Sequence, residues 1–138
     1  PMPVSELLLS SAKENSPDAI DMLTLWGHGS PAHLGGSATP GMWMLGGGRR
    51  LMERAAPGVI YAGLNACNEY LQGLSDARSV TCHALLILGE LDLMTPVRAT
   101  AELTDALSDS ETVVLVKSGH ALLSERPEQV LDQLIRIV

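Results

Sequence analysis

The sequence of 138 residues contains no phenylalanine, and its aromatic residues amount to only 3% of the chain. The core of the folded protein must therefore consist mainly of leucine, valine, isoleucine, alanine and methionine. Hydrophobic residues make up 46% and charged residues 18%, values that are ordinary for a soluble globular protein. A chain of this length fits one domain that buries a fair core.

Clusters of basic residues are also lacking. Nine lysines and arginines stand against 16 acidic residues, the net charge is −7, and only Arg49 and Arg50 are adjacent. Binding of nucleic-acid phosphates needs clustered positive charge, so the composition argues against such a partner. No apolar run approaches the roughly 18 residues that span a bilayer, and no signal peptide is visible. We therefore expect a cytoplasmic protein with neither a nucleic-acid nor a membrane partner.

Motifs for metals and cofactors are lacking as well. The spacing of Cys67 and Cys82 matches neither a metal site nor a redox motif, and we expect two buried free thiols. His28 and His33 have no third ligand nearby. The glycines at 41–48 are only faintly similar to a phosphate loop, because the lysine and hydroxyl residue of the Walker pattern are absent. We therefore expect no metal and no cofactor.

Residues 1–80 have a helical pattern that glycines interrupt. The predicted helices cover about residues 4–13, 17–27, 42–54 and 59–71. Ser16 is a good N-cap for the second helix, and Pro17 suits its first position. Glycines and prolines predict a loop over residues 28–41. We expect Gly73 to end the fourth helix and Ser75 to be the N-cap of the next.

Strands and helices alternate in residues 81–138. Ala84–Leu88 is a continuous apolar run, typical of a parallel strand covered on both faces, and Thr112–Val116 is a second such run. A helix that opens at Thr95–Pro96 and runs to about Leu107 separates them, and Pro127 opens the last helix. This β-α-β-α order predicts the α/β class, with parallel strands and a right-handed crossover.

An acidic residue and a histidine follow these two predicted strands. Asp92 lies just past the first and His120 just past the second. Each has a plainer explanation alone, as a turn aspartate or a loop histidine. Functional groups nevertheless gather at the carboxyl ends of strands in open α/β sheets, so we expect the pair within hydrogen-bond reach. A buried carboxylate fixes the tautomer of a histidine, whose other nitrogen then acts as a general base. We therefore predict that Asp92 and His120 are catalytic residues.

About the last 60 residues resemble the C-terminal part of the α/β-hydrolase fold. The family pattern is an apolar strand, Gly-x-x-Asp, a helix led by proline, a strand, Gly-His, Glu-x-Pro and a final helix. The sequence matches this pattern at Gly89, Asp92, Pro96, Gly119, His120, Glu125 and Pro127. The resemblance implies a hydrolase that cleaves an ester or related bond of a small-molecule substrate through a nucleophile, a histidine and an acid. By the same resemblance, residues 1–80 are a helical cap and residues 81–138 are the β-α-β-α end of the core.

The nucleophile of such a triad is not evident. No serine lies in Gly-x-Ser-x-Gly, the pattern that places a nucleophile on a strand-to-helix turn. Ser75 comes closest, but a predicted helix precedes it. The segment 26–31 is similar to an oxyanion loop because it holds His-Gly followed by proline, yet the capped helix before it favours a cap loop. We expect the nucleophile (Ser, Asp or Cys) in an N-terminal half that this chain lacks.

Three functions follow from this expectation. The chain completes a hydrolase together with the absent half, or it is a non-catalytic fragment or interaction module, or it is one chain of a two-chain hydrolase. Alone, we expect it to be inactive, because acid and histidine cannot perform covalent catalysis without a nucleophile. An unpaired inner edge of the strand 84–88, beside an apolar patch, predicts association with that half or with a second copy. No motif indicates the substrate.

Overall fold

The computed structural model describes residues 2–37 and 40–137. The helices before the first strand are α1 (Glu6–Lys13), α2 (Pro17–Trp26), α3 (Ser30–His33), α4 (Met44–Met52), α5 (Val59–Glu69) and α6 (Gly73–Arg78). The remaining elements are β1 (Ala84–Gly89), a 3₁₀ turn (Val97–Thr100), α7 (Ala101–Ala106), β2 (Ser110–Leu115), α8 (Leu122–Glu125) and α9 (Pro127–Ile135). A helical segment therefore precedes a strand–helix–strand–helix segment, as the sequence predicts.

Serine side chains begin the first two helices. The Oγ of Ser5 accepts a hydrogen bond from the N–H of Leu8 at 3.2 Å, and the Oγ of Ser16 accepts one from Asp18 at 3.2 Å. Pro17 occupies the first turn of α2, where no intrahelical partner exists for a backbone N–H. The predicted start at Ser16 and Pro17 is confirmed.

The first helices share a small apolar core. Leu8 and Ala12 of α1 and Ala19 of α2 are buried, and half-buried side chains of α5, among them Ile60 and Leu64, pack against them. The alanines leave room for the helix backbones to approach, because their side chains end at Cβ. This cluster holds α1, α2 and α5 together as one unit.

The predicted helix stop at Gly73 is wrong. Helix α5 ends at Glu69, and Gly73 is the first residue of α6. A Cβ at this position would lie 3.2 Å from a ring carbon of Tyr70, so the glycine makes room for that ring. Ser75 lies inside α6, where its hydroxyl donates to the carbonyl of Gln72 at 2.8 Å. The N-cap predicted at Ser75 is therefore wrong too.

The predicted loop over residues 28–41 contains one short helix. Helix α3 begins after Gly29, with Pro31 in its first turn. The fixed φ of proline suits this position, so a residue that suggested a loop here starts a helical turn. Residues 38 and 39 of the predicted loop lie outside the described residues.

Strands β1 and β2 are parallel neighbours. Ala84 lies opposite Ser110, and Gly89 lies opposite Leu115. Strand β2 thus begins and ends earlier than the predicted range 112–116, because it pairs along the full length of β1. The crossover consists of the 3₁₀ turn and α7 in place of one helix that starts at Thr95, since Asp92 accepts the N–H of Thr95 and holds residues 92–95 in a turn.

One face of β2 lacks cover in the part of the chain that the structure describes. Val114 is 43% exposed and Val116, just past the strand, is 57% exposed, whereas Leu115 is buried. Side chains alternate between the two faces of a strand, so half of this apolar run points to each side. The expectation that both faces of this strand are covered is not met here.

The cysteines and the helix lengths bear on two further expectations. Cys67 is half-buried and Cys82 is exposed, and both are free thiols. The absence of a disulfide agrees with the sequence, but the predicted burial is wrong, because Cys82 lies in the surface segment before β1. No helix within residues 2–37 and 40–137 is long and apolar enough to cross a membrane.

Candidate active site

The chain segments that leave β1 and β2 are bonded to each other at the carboxyl end of the sheet. The N–H of Glu90 donates to the carbonyl of Leu115 at 3.0 Å, and that of Leu91 donates to Ser118 at 2.8 Å. Ser118 is fully buried, and its hydroxyl donates to the carbonyl of Leu115 at 2.9 Å. These bonds place the two loops side by side, and the loops carry Asp92 and His120.

Close packing of the two loops requires a glycine at the end of β1. A Cβ on Gly89 would lie 2.7 Å from the carbonyl oxygen of Ser118 and closer still to that of Gly119. Real Cβ atoms do not approach backbone oxygens this closely, so a side chain here would push the loops apart. The glycine of the Gly-x-x-Asp pattern therefore has a steric purpose.

A strained residue marks the turn after β2. Lys117 has a φ of +56°, in the left-handed region that non-glycine residues rarely adopt. Its N–H donates to Glu90 Oε2 at 2.8 Å, and its carbonyl accepts from the guanidinium of Arg126 at 2.7 Å. Bonds on both sides hold this conformation, and the turn directs the chain toward His120.

The Asp92 carboxylate is buried and has four donors. Its Oδ1 accepts the backbone N–H groups of Met94 and Thr95, each at 2.8 Å. Its Oδ2 accepts the hydroxyl of Thr95 at 2.7 Å and Nδ1 of His120 at 2.9 Å. Asp92 is 7% exposed, so these bonds replace the water that the carboxylate loses on burial.

The same donors decide the charge of Asp92. Burial is the largest single influence and raises the pKa of this carboxyl, but hydrogen bonds from the Thr95 backbone, the His120 ring and the Thr95 hydroxyl lower it. Together with the charge of His120 they outweigh burial, and the pKa of Asp92 lies below its ordinary value. Asp92 is therefore ionised at neutral pH.

An ionised Asp92 determines the tautomer of His120. The carboxylate only accepts hydrogen bonds, so Nδ1 of His120 carries the proton that joins them. The Thr95 hydroxyl donates its proton to Asp92. Its oxygen lies 3.1 Å from Nδ1 of His120, so the Nδ1–H forms a bifurcated hydrogen bond to Asp92 and to Thr95. Within the described chain nothing bonds to Nε2, and the imidazole is 47% exposed. Nε2 is thus an accessible base.

The structure brings Asp92 and His120 within hydrogen-bond reach, as the sequence predicts. Their role in catalysis stays a prediction. Sequence reasoning missed Thr95. The available signal was a hydroxyl residue three positions after an aspartate, a spacing at which an aspartate side chain commonly bonds the local backbone.

A second buried carboxyl lies beneath the histidine loop. Glu125 is 1% exposed; its Oε1 accepts the N–H of Gly119 at 2.9 Å and its Oε2 accepts the N–H of Gly29 at 3.0 Å. The N–H of Ala121 donates to the carbonyl of Gly27 at 2.8 Å. The segment predicted as a cap loop follows helix α2, as expected, and lies directly against the His120 loop.

The two histidines considered as metal ligands on sequence grounds, His28 and His33, bond to the backbone. His28 Nδ1 lies 2.8 Å from the carbonyl oxygen of Thr24, and His33 Nε2 lies 3.0 Å from that of Leu25. Among the residues that the structure describes, no three histidine, cysteine or acidic side chains form a group that could hold a metal ion.

Comparison with known proteins establishes the fold. An esterase from Exiguobacterium antarcticum is 16% identical, with a TM-score of 0.77 over 96% of this chain and 46% of its own. A thermophilic esterase from Thermogutta terrifontis is 17% identical, with a TM-score of 0.78 over 98% of this chain and 51% of its own. This chain has the fold of the C-terminal part of an α/β hydrolase. It spans about half the length of the solved structures that it matches.

A further structural neighbour is described as degrading N-acyl homoserine lactones. It is 17% identical, with a TM-score of 0.72 over 98% of this chain and 52% of its own. No protein-family model and no curated protein matches the sequence. The predicted fold class is confirmed through these structures, although sequence identity to them is below one in five residues.

Proposed function

We propose that this chain provides the acid and the histidine of a hydrolase that cleaves an ester or related bond in a small molecule. The observation that carries the proposal is the 2.9 Å contact between Asp92 Oδ2 and His120 Nδ1 at the ends of two adjacent parallel strands. Asp92 keeps the proton on Nδ1 and stabilises the imidazolium. Nε2 then takes the proton of a nucleophile as it attacks the substrate carbonyl and later gives it to the leaving group.

The substrate class is inferred from what the structural neighbours share. Several are named esterases, and another is described as degrading N-acyl homoserine lactones, which contain a cyclic ester. Hydrolysis of either bond passes through a tetrahedral intermediate at a carbonyl carbon, so one acid–histidine arrangement serves both. An ester or lactone is therefore the substrate that we propose.

The nucleophile and the oxyanion donors come, we propose, from polypeptide that packs beside β1. Strand β1 pairs with β2 along one edge, and no strand among the described residues pairs with its other edge. The sequence has no Gly-x-Ser-x-Gly, and the solved relatives are about twice as long as this chain. A strand added at the free edge of β1 and parallel to it would place its own carboxyl end near Asp92 and His120.

Ester hydrolysis tests the function. The 138-residue chain should not turn over a p-nitrophenyl ester above the buffer rate, whereas the product of the complete reading frame that encodes it should. His120→Ala should abolish this turnover, and His83→Ala, a histidine outside the site, is the matched control. Absence of hydrolysis by the complete product would contradict the proposal. Turnover by the 138-residue chain that His120→Ala abolishes would place the nucleophile in this chain.

Sedimentation tests the proposed neighbour of β1. The isolated chain should associate at micromolar concentration, because a free strand edge and exposed apolar residues such as Val114 favour pairing. A single species at the monomer mass of 14.6 kDa that binds no hydrophobic dye would contradict this. Loss of self-association when polypeptide from upstream in the reading frame is supplied in trans would identify that polypeptide as the neighbour.

A further inference from the structure

The backbone on each side of His120 is held by a bond to another part of the chain. The N–H of Gly119 donates to Glu125 Oε1 at 2.9 Å, and the N–H of Ala121 donates to the carbonyl of Gly27 at 2.8 Å. The imidazole between them is 47% exposed, so packing leaves much of its surface without contact. The orientation of the imidazole ring therefore depends on the backbone of His120 and on its hydrogen bonds to Asp92 and Thr95.

The loop that holds this backbone comes from the helical segment. Residues 27–29, which connect α2 to α3, contact Gly119 so closely that a Cβ there would lie 2.6 Å from the carbonyl carbon of His28. A Cβ on Gly29 would lie 3.0 Å from both the nitrogen of Gly119 and Oε2 of Glu125. No side chain fits at either glycine without movement, so the segment 27–29 and the His120 loop form one packed unit.

Glu125 links the segment 27–29 to the His120 loop. It is 1% exposed, and each of its carboxyl oxygens accepts one backbone N–H, from Gly119 and from Gly29. Burial of a carboxyl group costs free energy unless its oxygens are bonded, and here both are. No basic side chain forms an ion pair with it in the described residues. Its partners are the backbone of the two loops alone.

We propose that Glu125 is a positioning residue for His120. It fixes the backbone of the His120 loop against residues 27–29, and this alignment keeps Nδ1 directed at Asp92 and Nε2 directed at the nucleophile. The inference rests on the proposed function for its catalytic meaning, and a displacement of about 1 Å at a reacting group is enough to slow catalysis greatly. A displacement of the loop between α2 and α3 would therefore also displace the His120 backbone, because the Glu125 carboxyl group is bonded to both.

Glu125→Gln tests this directly. Glutamine has the same size, but its NH₂ group cannot accept, so one of the two backbone N–H groups loses its acceptor. In nitrogen NMR of the 138-residue chain, assigned with His120→Ala, the Nδ1–H of His120 should exchange with water at least about tenfold faster. Glu128→Gln, an exposed residue in the first turn of α9, is the matched control and should leave the exchange rate unchanged.

The outcomes separate positioning from folding and from catalysis. An unchanged Nδ1–H exchange rate in folded Glu125→Gln overturns the proposal. If that variant does not fold, Glu125→Asp takes its place, since the shorter side chain cannot reach both N–H groups. Failure of both to fold shows that Glu125 serves the fold itself and also overturns positioning. Faster exchange supports positioning even if the complete reading frame shows no hydrolysis, in which case only the proposed function fails.

Discussion

Two aspartate–histidine pairs lie at opposite ends of the same two strands. His83 and Asp109 immediately precede β1 and β2, and their Nδ1–Oδ1 distance is 3.0 Å. Asp92 and His120 follow the strands at 2.9 Å. The side chains of the two histidines are similarly exposed, at 44% and 47%, but the side chain of Asp109 is 66% exposed whereas that of Asp92 is 6% exposed.

The difference between the pairs lies in the aspartate and its donors. Among the described residues the carboxylate of Asp109 has one side-chain partner, His83, whereas that of Asp92 has Thr95 and the local backbone in addition to His120. An exposed pair is screened by water and holds neither side chain firmly. Distance alone therefore does not identify a functional pair, but a buried, fully bonded acid beside an accessible histidine does favour one.

The largest expected effect separates the pairs by activity. In the product of the complete reading frame, Asp92→Asn should lower kcat by about 10⁴-fold, because an amide no longer fixes the tautomer of His120 or stabilises the imidazolium. Asp109→Asn should leave kcat close to that of the unaltered protein. Ester hydrolysis by both variants, after thermal unfolding shows that each is folded, gives the comparison. Equal losses would erase the distinction drawn between the two pairs.

A substitution at Gly89 tests how tightly the loops pack at the carboxyl end of the two strands. Gly89→Ala should destabilise the fold by about 3 kcal/mol, because the new Cβ would lie 2.7 Å from the carbonyl oxygen of Ser118. Gly63→Ala in α5 meets no atom within 4 Å and should stabilise by about 0.5–1 kcal/mol through its helix propensity. Urea unfolding measures both. A Gly89→Ala variant as stable as the original would show that the loops separate at little cost.

Acid unfolding should distinguish the two aspartates. Hydrogen bonds lower the pKa of Asp92 against the opposing effect of its burial, so in acid the unfolded chain binds more protons than the folded chain. The resulting stability is fully present above the unfolded value of about 3.9 and is lost as pH falls through the lower folded value. Urea midpoints between about pH 6 and pH 3 should decline less steeply in Asp92→Asn than in the original protein. Asp109→Asn is the control, and an identical decline in both variants would argue against a lowered pKa at Asp92.

The smallest expected effect is the coupling energy of the exposed pair. A double-mutant cycle of His83→Ala and Asp109→Ala should give less than about 1 kcal/mol, and added salt should reduce it, because both side chains are largely in water. The same cycle on His120 and Asp92 should give a larger value with weaker salt dependence. If the exposed pair proved the stronger, burial of the aspartate would not be what distinguishes them.

Local patterns in the sequence predict much of this structure. The apolar run at 84–88 and the serine and proline at 16 and 17 specify a strand and a helix start through nearby atoms only, and both are found. Gly73 shows the limit of such patterns. Glycine ends many helices, but here the ring of Tyr70 occupies the space where a side chain would be, and the residue begins a helix instead.

The sequence by itself determined the parallel strand pair and the placement of Asp92 and His120 at one edge, because neighbouring parallel strands have their carboxyl ends at the same edge of the sheet. Only the tertiary structure decided what surrounds that pair. Glu125 and Gly29 are 96 residues apart in the chain, and a bond between them leaves no trace in any local pattern. The sequence predicts Asp92 as the acid from its position just after a strand, but only the packed fold gives it the burial that separates it from Asp109, whose side chain is 66% exposed against 6% for Asp92.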